Sequence, residues 1–321
     1  MSFDQIWGQD PAIQTLKRAL ESGHVHHAYR FEGPAGVGKM MTAQRFARAL
    51  VCEQGGLGCE SCSACRRALT LSEDEPRVPI HPDVVWVARG LYRSVTGQAE
   101  AGGIGVEQIR KVVLTRIGFS PHEGRALVFV IDDADEITLQ AANSLLKTLE
   151  EPPPRTHFVL ITSRPNRLLD TIRSRTLPVR FGPLPEAVLA RILRERELSP
   201  DVAPFAEGSA AQALSLAQED SLRERQEFAN QVEAALVARD LAPGVRFAEA
   251  QKGDRDTLKG QLGFFAQALA AKAKQAVRAE PEQAERAARR HAAVLETISD
   301  IERNVQSALA LEAMIQRLRQ I

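Results

Sequence analysis

Aromatic residues are scarce in this chain. They make up 5% of 321 residues, with two tryptophans and two tyrosines. Binding single-stranded nucleic acid by stacking needs a platform of such rings, so that mode is not expected. Net charge is also missing, since 41 Lys and Arg face 41 Asp and Glu. A dedicated nucleic-acid binder is ordinarily basic, so any DNA contact must come from a local patch or through other chains. Long apolar runs are absent too. The run near residue 130, Ala126 to Ile131, falls far short of the ~20 residues that span a bilayer. The N-terminus, MSFDQIWGQD, does not read as a targeting peptide. A cytoplasmic protein with no membrane partner is therefore expected. Finally, cysteine is missing everywhere except in one short segment.

That segment holds Cys52, Cys59, Cys62 and Cys65, spaced C-x6-C-x2-C-x2-C. Two x2 spacings let consecutive sulfurs bite one ion from tight turns, and four thiolates close a tetrahedral ion against water. That is the structural type of zinc site. The x6 arm, EQGGLG, holds three glycines and can fold back freely. Two disulfides would suit an exported protein, a context at odds with the rest of the chain. An iron–sulfur cluster is the minor alternative. A closed site activates no water, so no catalytic role follows.

The first cysteine lies thirteen residues past a lysine that ends GPAGVGK, Gly33 to Lys39. This matches G-x4-G-K, between an expected strand and an expected helix. Gly33, Gly36 and Gly38 would let backbone N–H groups face phosphate oxygens, with help from the helix N-terminus. Lys39 would reach the terminal phosphates. The next residue in such loops is Ser or Thr, whose hydroxyl holds Mg²⁺. Here it is Met40, whose thioether is no ligand for a hard cation. Thr42 points about 200° away along a helix. ATP or ADP is thus expected to bind weakly or not at all, and the loop could equally be an inert remnant.

Hydrophobic strands and helices alternate over the first 182 residues. Strands are expected at Ala28–Phe31, Val84–Val87, Ala126–Ile131, His157–Thr162 and Leu177–Phe181. Helices are expected at 4–23, Met40–Val51, Val106–Arg116 and Leu139–Glu150, the last stopped by Pro152-Pro153-Pro154. Arg93 to Gly105 is polar and glycine-rich, expected as a mobile loop. The pattern is α/β, a parallel sheet covered on both faces. From Pro185 on only helices are expected. Breaks near Gly182-Pro183 and Glu219 divide the chain into 1–182, a small helical 183–219 and a helical 220–321. Near the C-terminus Leu311, Met314, Ile315 and Leu318 form one stripe, with Ala308 a turn earlier.

The strand Leu127–Ile131 runs into Asp132-Asp133-Ala134-Asp135. An acidic pair after an apolar strand is the second half of a nucleotide-hydrolysing site. Asp132 would position Mg²⁺. Asp133 stands where a water-polarising Glu is common, one methylene too short, and a displacement of that order can cost ~10²-fold in rate. The carboxylates could also merely end a strand and cap a helix.

Taken together these residues resemble the clamp-loader branch of the AAA+ superfamily, and within it the bacterial delta-prime type. The resemblance runs over roughly residues 3 to 220. It is carried by FDQIWGQDPAI (from Phe3), HHAYRFEGPAGVGK (from His26), the four cysteines, VFVIDDADEIT (from Val128), AANSLLKTLEEPPP (from Ala141), FVLITSRPNRLLDTIRSRT (from Phe158) and GSAAQALSLA (from Gly208). The first cysteine gap is shorter than the family's x8. The resemblance implies an AAA+ domain with a zinc module at 52–65, a helical lid and an all-helical collar. It implies that Thr162 is the sensor-1 residue. It makes Ser174-Arg175-Thr176 the family's Ser-Arg-Cys motif, with Arg175 a finger entering a neighbour's ATP site. Ala211 falls where motor subunits carry the sensor-2 arginine. Arg110, Lys111 and Arg116 become candidates for the DNA backbone, or ordinary charges on a solvated face.

The expectation is a stator subunit of a replicative DNA polymerase III holoenzyme. It would sit in a hetero-pentameric ring with other clamp-loader subunits, reach the sliding clamp and primed DNA through that ring, and lend Arg175 outward while its own site is degraded. An active motor ATPase of the same loader, or a zinc-stabilised scaffold outside replication, are the competing readings.

Overall fold

The structure, a computed structural model, describes residues 3–92, 103–123, 125–251, 255–277, 279–303 and 305–321. The segment 93–102, within the loop expected at Arg93–Gly105, lies outside the described residues. The chain divides into two compact units. One is Met1–Leu189 with Gly208–Ala211, the other Ala190–Glu207 with Gln212–Ile321.

Among the described residues the first unit is built on five strands, β1 (Ala28–Glu32), β2 (Val84–Val87), β3 (Leu127–Ile131), β4 (Thr156–Thr162) and β5 (Leu177–Arg180). All pairings are parallel, in the order β2-β3-β4-β1-β5. The inner strand β3, LVFVI, is buried at every residue, as a strand covered on both faces must be. On one face Phe129 stacks on Phe158 at 5.1 Å between centroids. On the other, Tyr29 meets Phe46 edge-on at 5.1 Å.

The helices wholly within this unit are α1 (Asp10–Ser22), α2 (Lys39–Val51), α3 (Ser63–Leu69), α4 (Val106–Gln108), α5 (Leu139–Glu150) and α6 (Asp170–Arg173); α7 (Glu186–Arg194) and α8 (Ala210–Leu216) follow in the chain, each divided between the two units. The α/β expectation holds, and the strands fall within a residue of their expected bounds. Two helices differ. The expected helix at 4–23 begins only at Asp10, because Gly8 takes φ +75°. The expected helix Val106–Arg116 is one α-turn continued as a π-helix over Ile109–Leu114. Its buried residues come as adjacent pairs four apart, Gln108-Ile109 and Val112-Val113. A π-turn closes i→i+5 hydrogen bonds, and here Thr115 N–H donates to the Arg110 carbonyl at 3.1 Å.

The second unit is helical. Its main elements are α9 (Glu219–Val237), α10 (Ala242–Ala250), α11 (Arg255–Ala276), α12 (Pro281–Glu302) and α13 (Ser307–Gln320). Leu311, Met314, Ile315 and Leu318 are each at most 1% exposed, in one core with Phe228, Leu262 and Phe265. The expected stripe therefore packs into this core, with buried Ala310 rather than Ala308 beside it. Among the described residues no helix is long and apolar enough to cross a membrane.

Candidate functional site

Helix α2 joins two sites. Its first residue is Lys39 and its C-cap is Cys52, so one rod of about 20 Å fixes the glycine loop at one end and the cysteines at the other.

At the cysteine end, the four Sγ atoms all lie within 4.8 Å of one another. Cys52 and Cys62 are 4.0 Å apart, Cys59 and Cys65 3.9 Å. These are not disulfides, which need about 2.05 Å. A tetrahedron of sulfurs about 2.3 Å from one zinc has edges of ~3.8 Å, so the cluster has the size of a single-ion cage. It is too tight to surround an iron–sulfur cluster. The backbone prepares the thiolates. N–H of Cys59 donates to Cys52 Sγ, that of Cys62 to Cys59 Sγ, and that of Cys65 to Cys62 Sγ, at 3.3–3.4 Å. Hydrogen bonds, first from Ser61 and then from the Cys62 backbone, pull the Cys59 thiol down to about 6. Burial pushes Cys65 up. The x6 arm folds back as expected, with Gly55, Gly56 and Gly58 all at positive φ, and it is tied in place. Arg125 Nη1 donates to the carbonyls of Cys52 and Glu53 at 3.1 and 3.3 Å. Glu53 in turn accepts from Ala64 N–H at the start of α3.

At the other end, the glycine loop, Asp132, Asp133 and Thr162 gather at the C-terminal edge of the sheet, after β1, β3 and β4. The Lys39 ammonium turns inward, donating to the carbonyls of Gly33 and Pro34 at 2.6 and 2.5 Å and to Ser163 Oγ at 3.2 Å. Burial holds its pKa below the ordinary lysine value, against the pull of Asp132, Asp133 and Asp135. Thr42 is fully buried and donates to the Gly38 carbonyl at 2.9 Å, so it offers no hydroxyl in place of Met40. Burial, then mutual repulsion, raises Asp132; burial, then Glu136 and Asp135, raises Asp133. Asp133 also takes φ +46°, a sparsely populated conformation for a residue with a side chain.

Thr162 Oγ donates to Asp135 Oδ1 at 2.6 Å, while Arg164 Nε donates to Asp135 Oδ2 at 2.7 Å. Burial works to raise Asp135, and these hydrogen bonds outweigh it, leaving its carboxyl below the ordinary value. Nothing in the motif spacing singled out Asp135 and Arg164 as the partners that occupy Thr162.

Two loop glycines are demanded by the protein itself. A Cβ on Gly33 would sit 2.1 Å from the Phe181 carbonyl oxygen. One on Gly36 would meet Ser209 Oγ at 2.1 Å and Ala211 Cβ at 2.8 Å. Ala210 N–H donates to the Gly36 carbonyl at 2.9 Å. The segment 208–211 thus lies against the loop, and Ala211 brings a methyl where the resemblance would put an arginine.

Arg175 is elsewhere. It precedes β5, and β5 pairs with β1 in the register Tyr29↔Leu177. That places Arg175 at the N-terminal edge of the sheet, with His26 and His27, while the glycine loop begins after Glu32. Six residues at about 3.3 Å each put ~20 Å between the two levels. Arg175 lines a cavity of about 590 Å³ with His26, His27, Glu150 and Thr176. Its turn is braced from below by a residue the sequence did not flag. Arg30, 7% exposed, donates from Nη1 to the Arg173 carbonyl at 3.0 Å and to Thr176 Oγ1 at 2.8 Å. Glu32 receives Arg30 Nε at 2.9 Å. Thr176 Oγ1 itself donates to the Ile172 carbonyl at 2.9 Å. The threonine that replaces the family's cysteine thus stitches the turn to β1.

Of the basic candidates, Arg110 and Lys111 are exposed on the π-helix, with Arg110 Nη1 3.3 Å from Glu107. Arg116 donates to the Val112 carbonyl at 2.6 Å.

A parallel sheet with a glycine loop after its fourth-ordered strand, an acidic β3 end and a lateral four-cysteine cage defines a P-loop α/β protein of the AAA+ type carrying a four-cysteine segment that could hold a metal ion. The family model described as DNA polymerase III, delta subunit, matches residues 8–185, more than half of the chain, so the chain belongs to that family, among the clamp-loader proteins. The Bacillus subtilis DNA polymerase III subunit delta' is 34% identical over 67% of this chain and 61% of its own length. The Mycobacterium tuberculosis subunit gamma/tau is 35% identical over 64% of this chain and 33% of its own. The chain spans about a third of these gamma/tau relatives. A Thermotoga maritima gamma subunit-related crystal structure is similar over 96% of this chain and 99% of its own, at 19% identity and a TM-score of 0.45.

Proposed function

We propose that this chain is a delta-prime-type subunit of a replicative clamp loader, a stator that completes a neighbouring subunit's ATP site with Arg175. One observation carries the reading: Arg175 stands at the edge of the sheet opposite its own glycine loop. A guanidinium ~20 Å from its own phosphates can act only on another subunit's. There it would stabilise charge as phosphoryl transfer proceeds, worth about 10³–10⁵ in rate.

The chain's own loop fits this asymmetry. Met40 offers no oxygen to Mg²⁺, Lys39 bonds its own loop, and Thr162 is engaged by Asp135. These same features count against an active motor subunit. Nucleotide binding, if any, would be weak, with Gly33, Gly36, Gly38 and Lys39 the contacting residues. Asp132, Asp133 and Thr162 would be remnants of the hydrolytic set. Cys52, Cys59, Cys62 and Cys65 would hold one structural Zn²⁺. We assign 1–182 to the AAA+ domain, 183–219 to the lid and 220–321 to the collar. Partners would be the other subunits of a hetero-pentameric ring, with the clamp and primed DNA met through it. Arg110 and Lys111 are the DNA-backbone candidates that remain accessible.

The test reconstitutes the ring with its ATPase subunits and Arg175→Ala. Hydrolysis at the adjacent site should slow by about 10³-fold or more, seen as loss of one site's share of the pre-steady-state burst. Assembly, followed by co-elution, should persist. An unchanged burst would end the reading.

A further inference from the structure

We infer that Glu150 is the resting counter-ion of Arg175, and that its carboxylate brakes the finger until a neighbour's phosphates displace it. This rests on Arg175 acting in trans as proposed above. Glu150 Oε1 lies 2.5 Å from Arg175 Nη2. The other terminal nitrogen, Nη1, donates to the Thr171 carbonyl at 2.9 Å and to Ser174 Oγ at 3.1 Å. Three partners thus hold the guanidinium against its own subunit. The backbone beneath it is pinned by Arg30 and Thr176, so only the side chain is left to move.

The pair is built to be broken. Glu150 ends helix α5, and the two side chains are 48% and 32% exposed at the edge of the cavity. An ion pair this open to water shifts an equilibrium by a factor of about five at most. A triphosphate carries several charges and offers a bidentate partner to a guanidinium, so it can outcompete one carboxylate. Until then, Glu150 repels an approaching phosphate and occupies the donor it needs. Once displaced, the carboxylate is left in water at little cost.

The experiment measures ATP hydrolysis by the reconstituted ring without clamp or DNA. Glu150→Gln keeps the side chain's shape and removes its charge. It should raise the rate or lower KM for ATP by about two- to fivefold. Glu150→Asp, still charged, should raise it less. Combined with Arg175→Ala, Glu150→Gln should do nothing further. If Arg175→Ala slows the ring but Glu150→Gln does not speed it, or both Glu150 variants speed it equally, the brake is wrong and the finger stands. If Arg175→Ala itself changes nothing, both fall together. Thermal unfolding of the free chain confirms that each variant is folded before assembly.

Discussion

Glycine in a phosphate loop is usually credited to the phosphate, but Gly36 has a second reason to be glycine. It holds φ +73°, and a Cβ there would press on Ser209 Oγ, Ala211 Cβ and the Ala211 backbone nitrogen. The last two cannot swing aside as a flexible side-chain tip would. Gly36→Ala should therefore destabilise the first unit by about 1–3 kcal/mol with no nucleotide present, read from urea unfolding. Unchanged stability would mean that the loop is shaped for a ligand alone. Residue identity foretold the loop, the acidic pair and the cysteines, because each is a local motif. It could not foretell Arg30 or Asp135. Arg30 serves Thr176 across 146 positions and Asp135 serves Thr162 across 27, and only the sheet brings them together.

At the scale of elements, patterning placed β2, β3 and β4 well because they are largely continuous apolar runs with abrupt ends, a signal that β5, exposed at three of its four residues, carries only weakly. It missed the π-helix, since pairs four apart read equally well as a 3.6-residue period. It read the fold-back of the glycine-rich arm, whose three glycines all take positive φ, but not the tie to it from Arg125, just before β3. The cysteine module is small: one seven-residue helix, α3, and turns. It has little core of its own, so its order depends on what the sulfurs hold. The chain should purify with about one zinc, measured by elemental analysis. Stripping it with a strong chelator should expose 52–70 to proteolysis and amide exchange. The π-helix and strands β1, β3 and β4, which have a large apolar core, should keep their protection. Loss of protection throughout the unit would instead make the metal a condition of the whole sheet.

For the whole molecule, a formal net charge of zero conceals a strong expected response to acid. His27, His81 and His157 are each held below the ordinary histidine value, chiefly by burial. Glu123 and Asp83 pull His81 the other way, and so does the His26 carbonyl that accepts from His157, without prevailing. A base whose folded pKa is lowered binds more protons unfolded than folded. Its stability is present in full above the unfolded value of about 6.5 and is lost as pH falls below it toward the lowered folded values. Asp132 and Asp133 act oppositely and at more acidic pH. Their raised carboxyls cost stability when ionised, and that cost is relieved as pH falls through their folded values. Between about pH 7 and pH 5.5 the histidines should dominate, each adding at most about 1.4 kcal/mol per pH unit. The first unit's unfolding temperature should drop over that interval, and His157→Gln should flatten the decline. Zinc content measured at each pH separates this from protonation of the cysteines. A decline identical in wild type and His157→Gln, with zinc retained, would place the acid sensitivity somewhere other than the buried N-terminal edge of the sheet where His157 meets His26.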